Sequence, residues 1–369
     1  MIRVGVIGFG FAGRIFHAPV VNAVEGLELA AILQRSGRDA AEAYPAINVP
    51  RSVEELLSDS SIRLVVIATP NSSHFPIARQ CLLAGRDVVI DKPFALNSAE
   101  AVELIRLART HGRLLTVYHN RRWDGDFRTV LGLLGSGQLG RLVMYESHFD
   151  RFRPIPDTGA WRQSGAPGGG VLLDLGSHLI DQALVAFGLP KTVWADVRVE
   201  RAGGMIDDAF DLCLRYPGSA AFDIREAAPG QQSGAGLTVW LRATSIAREP
   251  GPRFTLNGTR GTFCKFGIDP QEDRLRAGDL FRSSPWGADP EVHWGTLTEE
   301  VDGLPLSRRI PTEPGDYRCY YENVRDALLG AAPLEVTPVQ AWRTMRILEM
   351  ALESSRARRE IVCDWSDEP

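Results

Sequence analysis

The pattern of apolar and polar residues divides the chain into two parts with different periodicities. In the first part, short apolar runs rich in β-branched residues alternate with stretches of helical character, which is typical of a parallel, doubly wound α/β sheet. The predicted strands are Ile2–Ile7, Leu27–Leu33, 64–68, Asp87–Ile90 and 114–118. Helices are predicted behind the first strand, up to Leu83 behind the third strand, and over Ser98–Thr110. We expect residues 1–120 to form one domain with this architecture.

Beyond residue 120 the periodicity changes and predicts a second, α+β domain over residues 121–369. Its first half holds a helix over 127–134, a half-buried strand over 142–149, a long loop over 151–170 and a helix over 171–188. Short runs separated by glycine or proline turns then predict an open, mostly antiparallel sheet, over 193–201, 210–216, 220–225, 237–243, 253–256 and 262–266. A long loop over 269–295 precedes two helices, 317–330 and 338–358. We expect the last helix to pack back toward the first domain.

The first strand leads directly into a glycine-rich turn, whose residues are Gly8, Phe9, Gly10, Phe11, Ala12 and Gly13. The spacing G-x-G-x-x-G between a strand and a helix is typical of a Rossmann domain that binds a dinucleotide. The first glycine allows the tight turn, the second lets the backbone approach a pyrophosphate, and the third lets the helix pack closely. Backbone amides and the positive end of the helix dipole then face the phosphates. The alternative is an ordinary tight turn between a strand and a helix.

The end of the second strand indicates which dinucleotide is bound. Enzymes that use NAD usually carry a carboxylate here, which binds the ribose 2′-hydroxyl. This chain instead continues from Leu33 as Gln34, Arg35, Ser36, Gly37 and Arg38. Guanidinium groups favour a phosphate through their charge and their paired N–H donors. We therefore predict NADP, with NAD still possible, and expect Arg35, Ser36 and Arg38 around the 2′-phosphate unless they are solvated loop residues.

Two further loops leave the same edge of the predicted sheet, where ligands bind in open α/β folds. The loop after the third strand contributes Thr69, Pro70, Asn71 and His74, and the loop after the fourth contributes Asp91, Lys92 and Pro93. The Asn71 side chain can hydrogen-bond a ribose or a base, or it can cap the helix that follows. We expect all of these residues at the cofactor site.

The predicted helix over 171–188 carries an ionisable pair on one face. Asp174 and His178 stand four residues apart among leucines, so they lie above one another in a partly apolar setting. By spacing alone, such a pair is more often a surface or capping interaction than a catalytic one. A metal site needs further ligands, and none is obvious in the sequence, so we predict no metal.

These motifs resemble those of the Gfo/Idh/MocA family of nicotinamide-dependent sugar and polyol oxidoreductases. The matching segments are residues 8–13, the tripeptide over 91–93, and the glycine-rich segment over 168–182 with its Asp174–His178 pair. Asp91 departs from the family, which usually has glutamate there. Segments 118–124, 266–278 and 286–289 are similar to those of NADP-dependent scyllo-inositol dehydrogenases.

The resemblance implies a catalytic role for Lys92, Asp174 and His178. In the direction of oxidation we expect His178 to accept the hydroxyl proton and Lys92 to hold the same oxygen, although the two roles could be exchanged. Asp174 would position substrate hydroxyls or orient Lys92 or His178. The resemblance also suggests Trp161 and Arg162 near the nicotinamide.

The substrate implied by the resemblance is a cyclic polyol such as an inositol, or a sugar. Hydroxyl-rich ligands need many hydrogen-bonding partners, and the further candidates are His119, Asn120, Arg121 and Asp157. For Arg121 the alternative is an ion pair between the domains. An aldose dehydrogenase of the same family is the alternative activity, and a catalytically silent NADP-binding regulator is a different class of function.

Composition changes this picture little. The net charge of −5 gives no electrostatic reason to expect nucleic acid or an anionic membrane as a partner. The five cysteines are far apart and contain no C-x-x-C pair, which favours a reducing, cytoplasmic location. An open antiparallel sheet has a face to cover, so we expect a homodimer or a homotetramer.

Overall fold

The computed structural model of the chain describes residues 1–157, 159–218, 236–282 and 284–369. Over these residues the N-terminal sheet consists of β1 (Ile2–Ile7), β2 (Leu27–Leu33), β3 (Leu64–Ile67), β4 (Asp87–Ile90) and β5 (Leu115–Val117). All pairings are parallel and the strand order is β2-β1-β3-β4-β5. The chain leaves β1 toward β2 on one side and returns to β3 on the other. This topological switch opens a crevice at the carboxyl ends of β1 and β3.

The helices of this first half are α1 (Ala18–Ala23), α2 (Asp39–Ala43), α3 (Val53–Ser58), α4 (His74–Leu83) and α5 (Ser98–Thr110). Every residue of β3 and β4 is buried, as expected for parallel strands with helices on both faces. The sequence did not predict α2 and α3. Helices of five and six residues are too short to show a full period of apolar positions.

The second half of the chain builds a larger sheet. In chain order its elements are α6 (Gly125–Ser136), β6 (Leu142–His148), α7 (Ser177–Phe187), β7 (Thr192–Arg198), β8 (Ala209–Tyr216), β9 (Leu237–Thr244), β10 (Phe254–Gly258), β11 (Gly261–Lys265), α8 (Gln271–Arg276), β12 (Gly295–Val301), β13 (Leu304–Ile310), α9 (Arg318–Leu328), α10 (Pro338–Ala357) and β14 (Ile361–Val362). The described strands lie in the order β13-β12-β11-β10-β6-β9-β8-β7-β14. Only the pair β6–β9 among them is parallel. The predicted fold class, a doubly wound sheet followed by a mostly antiparallel one, is confirmed.

The last long helix joins the two sheets. α10 contacts β7 and α7 of the second sheet, and it also contacts α5 and β5 of the first. Its Glu349 carboxylate accepts hydrogen bonds from the backbone N–H and the hydroxyl of Ser98, at 2.7 and 2.8 Å, where α5 begins. A carboxylate in this position satisfies a free amide and complements the positive end of the helix dipole. α10 is therefore covalently part of the second half and packed as part of both.

Several predicted boundaries and loops are wrong in detail. The predicted loop 269–295 contains α8 and a short 3₁₀ turn, Glu291–His293. The hairpin of β12 and β13 was not predicted, because almost every side chain of β13 is exposed and the strand therefore shows no alternation. The short β14 was also missed. The predicted strand 220–225 lies outside the described residues.

Candidate active site

The glycine-rich turn after β1 forms the wall of a cavity of about 730 Å³, here named the glycine-loop cavity. Gly8 has a φ of +101°, and a Cβ there would lie 2.5 Å from the carbonyl oxygen of Ala68. A Cβ on Gly13 would lie 2.0 Å from the carbonyl oxygen of Gly8, so this glycine serves the packing of helix on strand. A Cβ on Gly10 would meet nothing within 4 Å. The turn thus presents bare backbone to open space, which is the shape that a pyrophosphate requires.

The helix behind this turn begins with a wide π-helical segment, Gly13–His17, before α1. The Ala18 N–H donates to the carbonyl oxygen of Gly13, five residues earlier. Pro19 follows at the start of α1 and has no N–H to donate. The widened turn lets the helix accommodate this proline while its N-terminus stays directed at the glycine-loop cavity.

The predicted specificity loop after β2 lies at one end of the same cavity. Arg35 and Ser36 line the cavity, whereas Arg38 is exposed and does not line it. Arg51 holds the loop in place, because its guanidinium donates to the carbonyl oxygens of Gln34 and Gly37 at 2.7 and 2.9 Å. Of the three residues predicted around a 2′-phosphate, the structure therefore brings two to the cavity.

Other residues predicted at the cofactor site divide into those that line the glycine-loop cavity and those that support it. The lining residues are Phe9, Phe11, Ala12, Thr69, Pro70, Asp91, Trp161 and Arg162. Asn71 does not line the cavity and does not cap a helix; its side-chain amide donates to the carbonyl oxygen of Gly168 at 2.6 Å. This bond ties the loop after β3 to the second half of the chain.

His74 also supports the cavity from behind and does not face it. The side chain is fully buried, and its ring nitrogens lie 2.9 and 3.0 Å from the carbonyl oxygens of Pro93 and Thr69. The structure therefore places neither His74 nor Pro93 in the lining of the glycine-loop cavity. The ring instead joins the loops after β3 and β4, because both of its polar atoms are used by backbone carbonyls.

A second cavity, of about 260 Å³ and here named the Lys92 cavity, lies between the two halves of the chain. It shares Phe11, Ala12, Asp91 and Arg162 with the glycine-loop cavity. Lys92, Asp174 and His178 all line it. The structure therefore brings the three predicted catalytic residues together, next to the place where the two cavities meet.

Lys92 joins the two halves of the chain at this point. Its Nζ donates to Oδ1 of Asp174 at 2.6 Å and to the backbone oxygen of the same residue at 2.7 Å. Burial by itself raises the pKa of Asp174, but the positive charges of Lys92, Arg151 and Arg162 outweigh it and hold that pKa below its usual range. Asp174 is therefore ionised throughout the neutral pH range, and it holds the lysine in one position.

His178 lines the same cavity as this ion pair, and its ring is buried among positively charged side chains. The ring is 6% exposed, and its Nδ1 is buried without a hydrogen-bond partner among the described residues. Burial lowers the pKa of His178 well below 6.5, and the positive charges of Lys92, Arg121 and Arg151 lower it further. The imidazole is therefore neutral at pH 7 and able to accept a proton.

The predicted substrate residues are only partly brought to the Lys92 cavity. Asn120 and Arg121 line it. His119 does not; its ring is buried 4.0 Å from the Asp181 carboxylate, and burial lowers its pKa to about 4. Asp157 is also absent from the lining, because its carboxylate accepts backbone N–H bonds within its own turn, from Gly159 among others. The structure therefore does not bring His119 and Asp157 to the lining of the Lys92 cavity.

Several lining residues of the Lys92 cavity were missed by the sequence analysis. They are Phe16, Tyr118, Arg151, Arg153, Leu175, Glu272 and Arg276. Glu272 and Arg276 stand four residues apart on α8, in the segment that was predicted as a loop. Arg151 and Arg153 alternate in an extended segment after β6, so they point to the same side. This i, i+2 spacing of two arginines was the signal that could have identified them.

Neither a group of metal ligands nor a membrane-spanning helix is found among the described residues. No group of three or more His, Cys, Asp or Glu side chains is arranged to hold a metal ion in the described part of the chain. Within the same residues, no helix combines the length and the apolar character needed to cross a membrane.

Comparison with protein families covers nearly the whole chain. A family model described as an oxidoreductase family with an NAD-binding Rossmann fold matches residues 2–119. A second model, described as the C-terminal α/β domain of that oxidoreductase family, matches residues 132–363. The two matches correspond to the two sheets described above.

Individual relatives are similar over their full length. The chain is 40% identical over 358 residues to an uncharacterised oxidoreductase, YdgJ, of Escherichia coli, covering 97% of each protein. It is 34% identical over 363 residues to the scyllo-inositol 2-dehydrogenase (NADP(+)) IolW of Bacillus subtilis, covering 98% of this chain and 96% of IolW. Among solved structures, the Yersinia pestis protein YPO2259 superposes with a TM-score of 0.89 at 40% identity, over 98% of this chain and 97% of that one.

The charge environment of His178 makes a prediction that does not depend on activity. In an NMR titration of histidine-labelled protein, we expect His178 to remain neutral at pH 6.5 and to titrate at lower pH. Replacing Lys92 with methionine removes a neighbouring positive charge, so the pKa of His178 should rise. The variant His178→Gln assigns the signal. A wild-type His178 that titrates at or above 6.5 would contradict the prediction.

Proposed function

The chain belongs to the Gfo/Idh/MocA family of oxidoreductases, and we propose that it oxidises a secondary alcohol of a cyclic polyol, such as an inositol, or of a sugar, with NADP as the hydride acceptor. Its Rossmann domain binds NAD(P), and its relatives make it a dehydrogenase that acts on CH–OH donors. One observation carries the finer proposal. Lys92, Asp174 and His178 converge in a cavity that meets the glycine-loop cavity. The similarity to the scyllo-inositol 2-dehydrogenase IolW supports a polyol as the substrate.

An NADP molecule bound in the glycine-loop cavity would lie against the bare backbone of residues 8–13 and between Arg35 and Arg162. When bound, the nicotinamide supplies the hydride chemistry. The protein then has to hold the reacting carbon near the nicotinamide and to manage one proton. Ala12, Asp91 and Arg162 line both cavities. The reacting carbon can approach the nicotinamide where the two cavities meet at these residues.

Lys92 and His178 divide the work on the reacting oxygen. Lys92 donates a hydrogen bond from Nζ to the alcohol oxygen and stabilises the negative charge that develops there. His178 accepts the proton, since a neutral imidazole is available at neutral pH. Asp174 is a positioning residue for Lys92, because it neutralises the lysine and fixes its Nζ through two hydrogen bonds.

The preference for NADP rests on the loop after β2. Arg35 and Ser36 line the end of the glycine-loop cavity, and no carboxylate lines it between Leu33 and Ser52 among the described residues. A guanidinium and a hydroxyl favour a 2′-phosphate, whereas a ribose 2′-hydroxyl is usually bound by a carboxylate. The similarity to IolW, an NADP(+)-dependent dehydrogenase, supports the same preference.

We also propose that the protein is a homo-oligomer assembled through the second sheet. Side chains of β9 alternate regularly between buried and half-exposed positions. The half-exposed face carries Trp240, whose ring packs edge-on against Trp194 of β7, and Arg242 stacks on Trp240. Two neighbouring tryptophans on an open sheet face are typical of an interface between subunits.

The free state of all five cysteines supports a cytoplasmic location.

A substrate panel tests the proposed activity. With NADP, we expect NADPH absorbance to rise with scyllo-inositol or myo-inositol, and less with glucose or xylose. Lys92→Met should reduce kcat/KM by roughly 100-fold or more, which is the loss expected for a strong donor to the developing oxyanion. If only the aldoses are turned over, the proposed substrate is an aldose and not a polyol. No turnover by a wild-type protein that still binds NADP would favour a regulator.

Cofactor specificity provides a second test. Arg35→Ala should raise the KM for NADP by roughly tenfold or more, the range of one hydrogen bond to a charged group, and should change the KM for NAD little. Arg38→Ala is the matched control, because Arg38 is exposed and does not line the cavity. A wild-type kcat/KM that is higher with NAD than with NADP would refute the preference.

The assembly can be tested by light scattering coupled to size-exclusion chromatography. Trp240→Glu should dissociate the oligomer, since removing a charged side chain from water into an interface costs several kcal/mol. Leu329→Glu is the control, because Leu329 is 63% exposed at the end of α9. An unchanged oligomer in Trp240→Glu, or a monomeric wild-type protein, would exclude this interface.

A further inference from the structure

The lining of the Lys92 cavity is more basic than a neutral polyol requires. Its basic side chains are Lys92, Arg121, Arg151, Arg153, Arg162 and Arg276, and its acidic side chains are Asp91, Asp174 and Glu272. Hydroxyl groups are recognised by mixed donors and acceptors, and they do not need an excess of charge of one sign. The excess of guanidinium groups therefore calls for another explanation.

The three carboxylates are already engaged by other groups. Asp174 holds Lys92 at 2.6 Å. Glu272 binds Arg121 at 2.7 Å and lies 3.5 Å from Arg276. Asp91 accepts the backbone N–H of Lys92 at 2.9 Å. The acidic groups of the cavity therefore leave part of its basic charge without compensation.

Of the basic side chains in this cavity, Arg151 is paired only at long range and Arg153 has no carboxylate partner among the described residues. Arg151 makes no side-chain hydrogen bond within the described part of the chain, and its nearest carboxylate oxygen, on Asp174, is 3.8 Å away. No carboxylate oxygen of the described residues lies within 4.0 Å of the Arg153 guanidinium. Burial lowers the pKa of Arg151, Asp174 partly offsets this, and the charge of Arg153 lowers it further. Two neighbouring guanidinium groups without a shared carboxylate form a favourable site for an anion.

The position of the two arginines separates them from the cofactor. Arg151 and Arg153 line the Lys92 cavity and do not line the glycine-loop cavity. Arg162 lines both cavities, so it can serve the cofactor as well. The anion that Arg151 and Arg153 bind is therefore on the substrate side, close to the carboxylate of Asp174 that positions Lys92.

We propose that the substrate is an anionic polyol or sugar, and that Arg151 and Arg153 bind its carboxylate or phosphate group. This proposal rests on the proposed function, since it names the substrate class of the same site. It assigns the two arginines to substrate specificity and leaves the hydride and proton steps to the groups described above. A neutral polyol reacts at the same site with a higher KM.

Matched substrates test the kinetic consequence. With NADP, kcat/KM should be at least roughly tenfold higher for myo-inositol 1-phosphate than for myo-inositol, or for glucose 6-phosphate or glucuronate than for glucose, as one hydrogen bond to a charged group provides. The phosphate and carboxylate members distinguish the two anions. Arg151→Gln and Arg153→Gln should reduce this ratio through KM of the anionic member. Arg248→Gln is the control, because Arg248 stacks on Phe152 nearby and does not line the cavity.

Anion binding tests the proposal independently of whether any of these compounds is turned over. With saturating NADP, inorganic phosphate or malonate should raise the melting temperature of the wild-type protein above a chloride control of equal ionic strength. Arg151→Gln and Arg153→Gln should lose this stabilisation, and Arg248→Gln should keep it. A kcat/KM for the neutral substrates that equals or exceeds that for their anionic partners would overturn the proposal. A melting temperature that neither phosphate nor malonate raises above the chloride control would also overturn it. A neutral polyol preferred over its anionic partner would leave the proposed function intact.

Discussion

The ion pair between Lys92 and Asp174 is the contact on which the rest of the site depends. Lys92 follows β4 of the first sheet, whereas Asp174 precedes α7 on the second, so the pair closes a gap between two separately organised parts of the chain. Its two hydrogen bonds, to the carboxylate and to the backbone oxygen, hold the ammonium group in one position, and the carboxylate compensates its charge. Because both groups are largely removed from water, each would be costly without the other.

The same pair sets the protonation states around it. Positive charge from Lys92 and neighbouring arginines keeps Asp174 ionised in spite of its burial. That positive charge also opposes protonation of His178, which burial already disfavours. An ionised carboxylate and a neutral imidazole therefore coexist in one cavity at neutral pH. Both groups are therefore deprotonated at neutral pH, which leaves the imidazole free to accept the hydroxyl proton.

Buried polar groups that never face a ligand hold the loops of the site. His74 joins the loops after β3 and β4, and Asn71 joins the first of these to Gly168. His17, at the end of the π-helical turn, lies 2.7 Å from the Tyr321 hydroxyl and 3.7 Å from Asp91. Each of these side chains connects segments that are distant in sequence. A site assembled from loops needs such supports, because loops by themselves are the least constrained parts of a fold.

The class of the fold and the position of the glycine-rich turn could be predicted from the sequence, because both follow from local periodicity and from spacing within a few residues. It also singled out Lys92, Asp174 and His178, by resemblance and not by spacing, and the structure brings these three residues to one cavity. The hairpin of β12 and β13 was missed, because the side chains of β13 are almost all exposed and show no alternation. The packing of distant segments keeps His74, His119 and Asp157 out of the lining of both cavities and brings Arg151 and Arg153 to the lining of one of them. Whether a polar side chain faces a ligand or a backbone carbonyl depends on contacts between segments far apart in the chain, and the pattern within one segment carries no record of them.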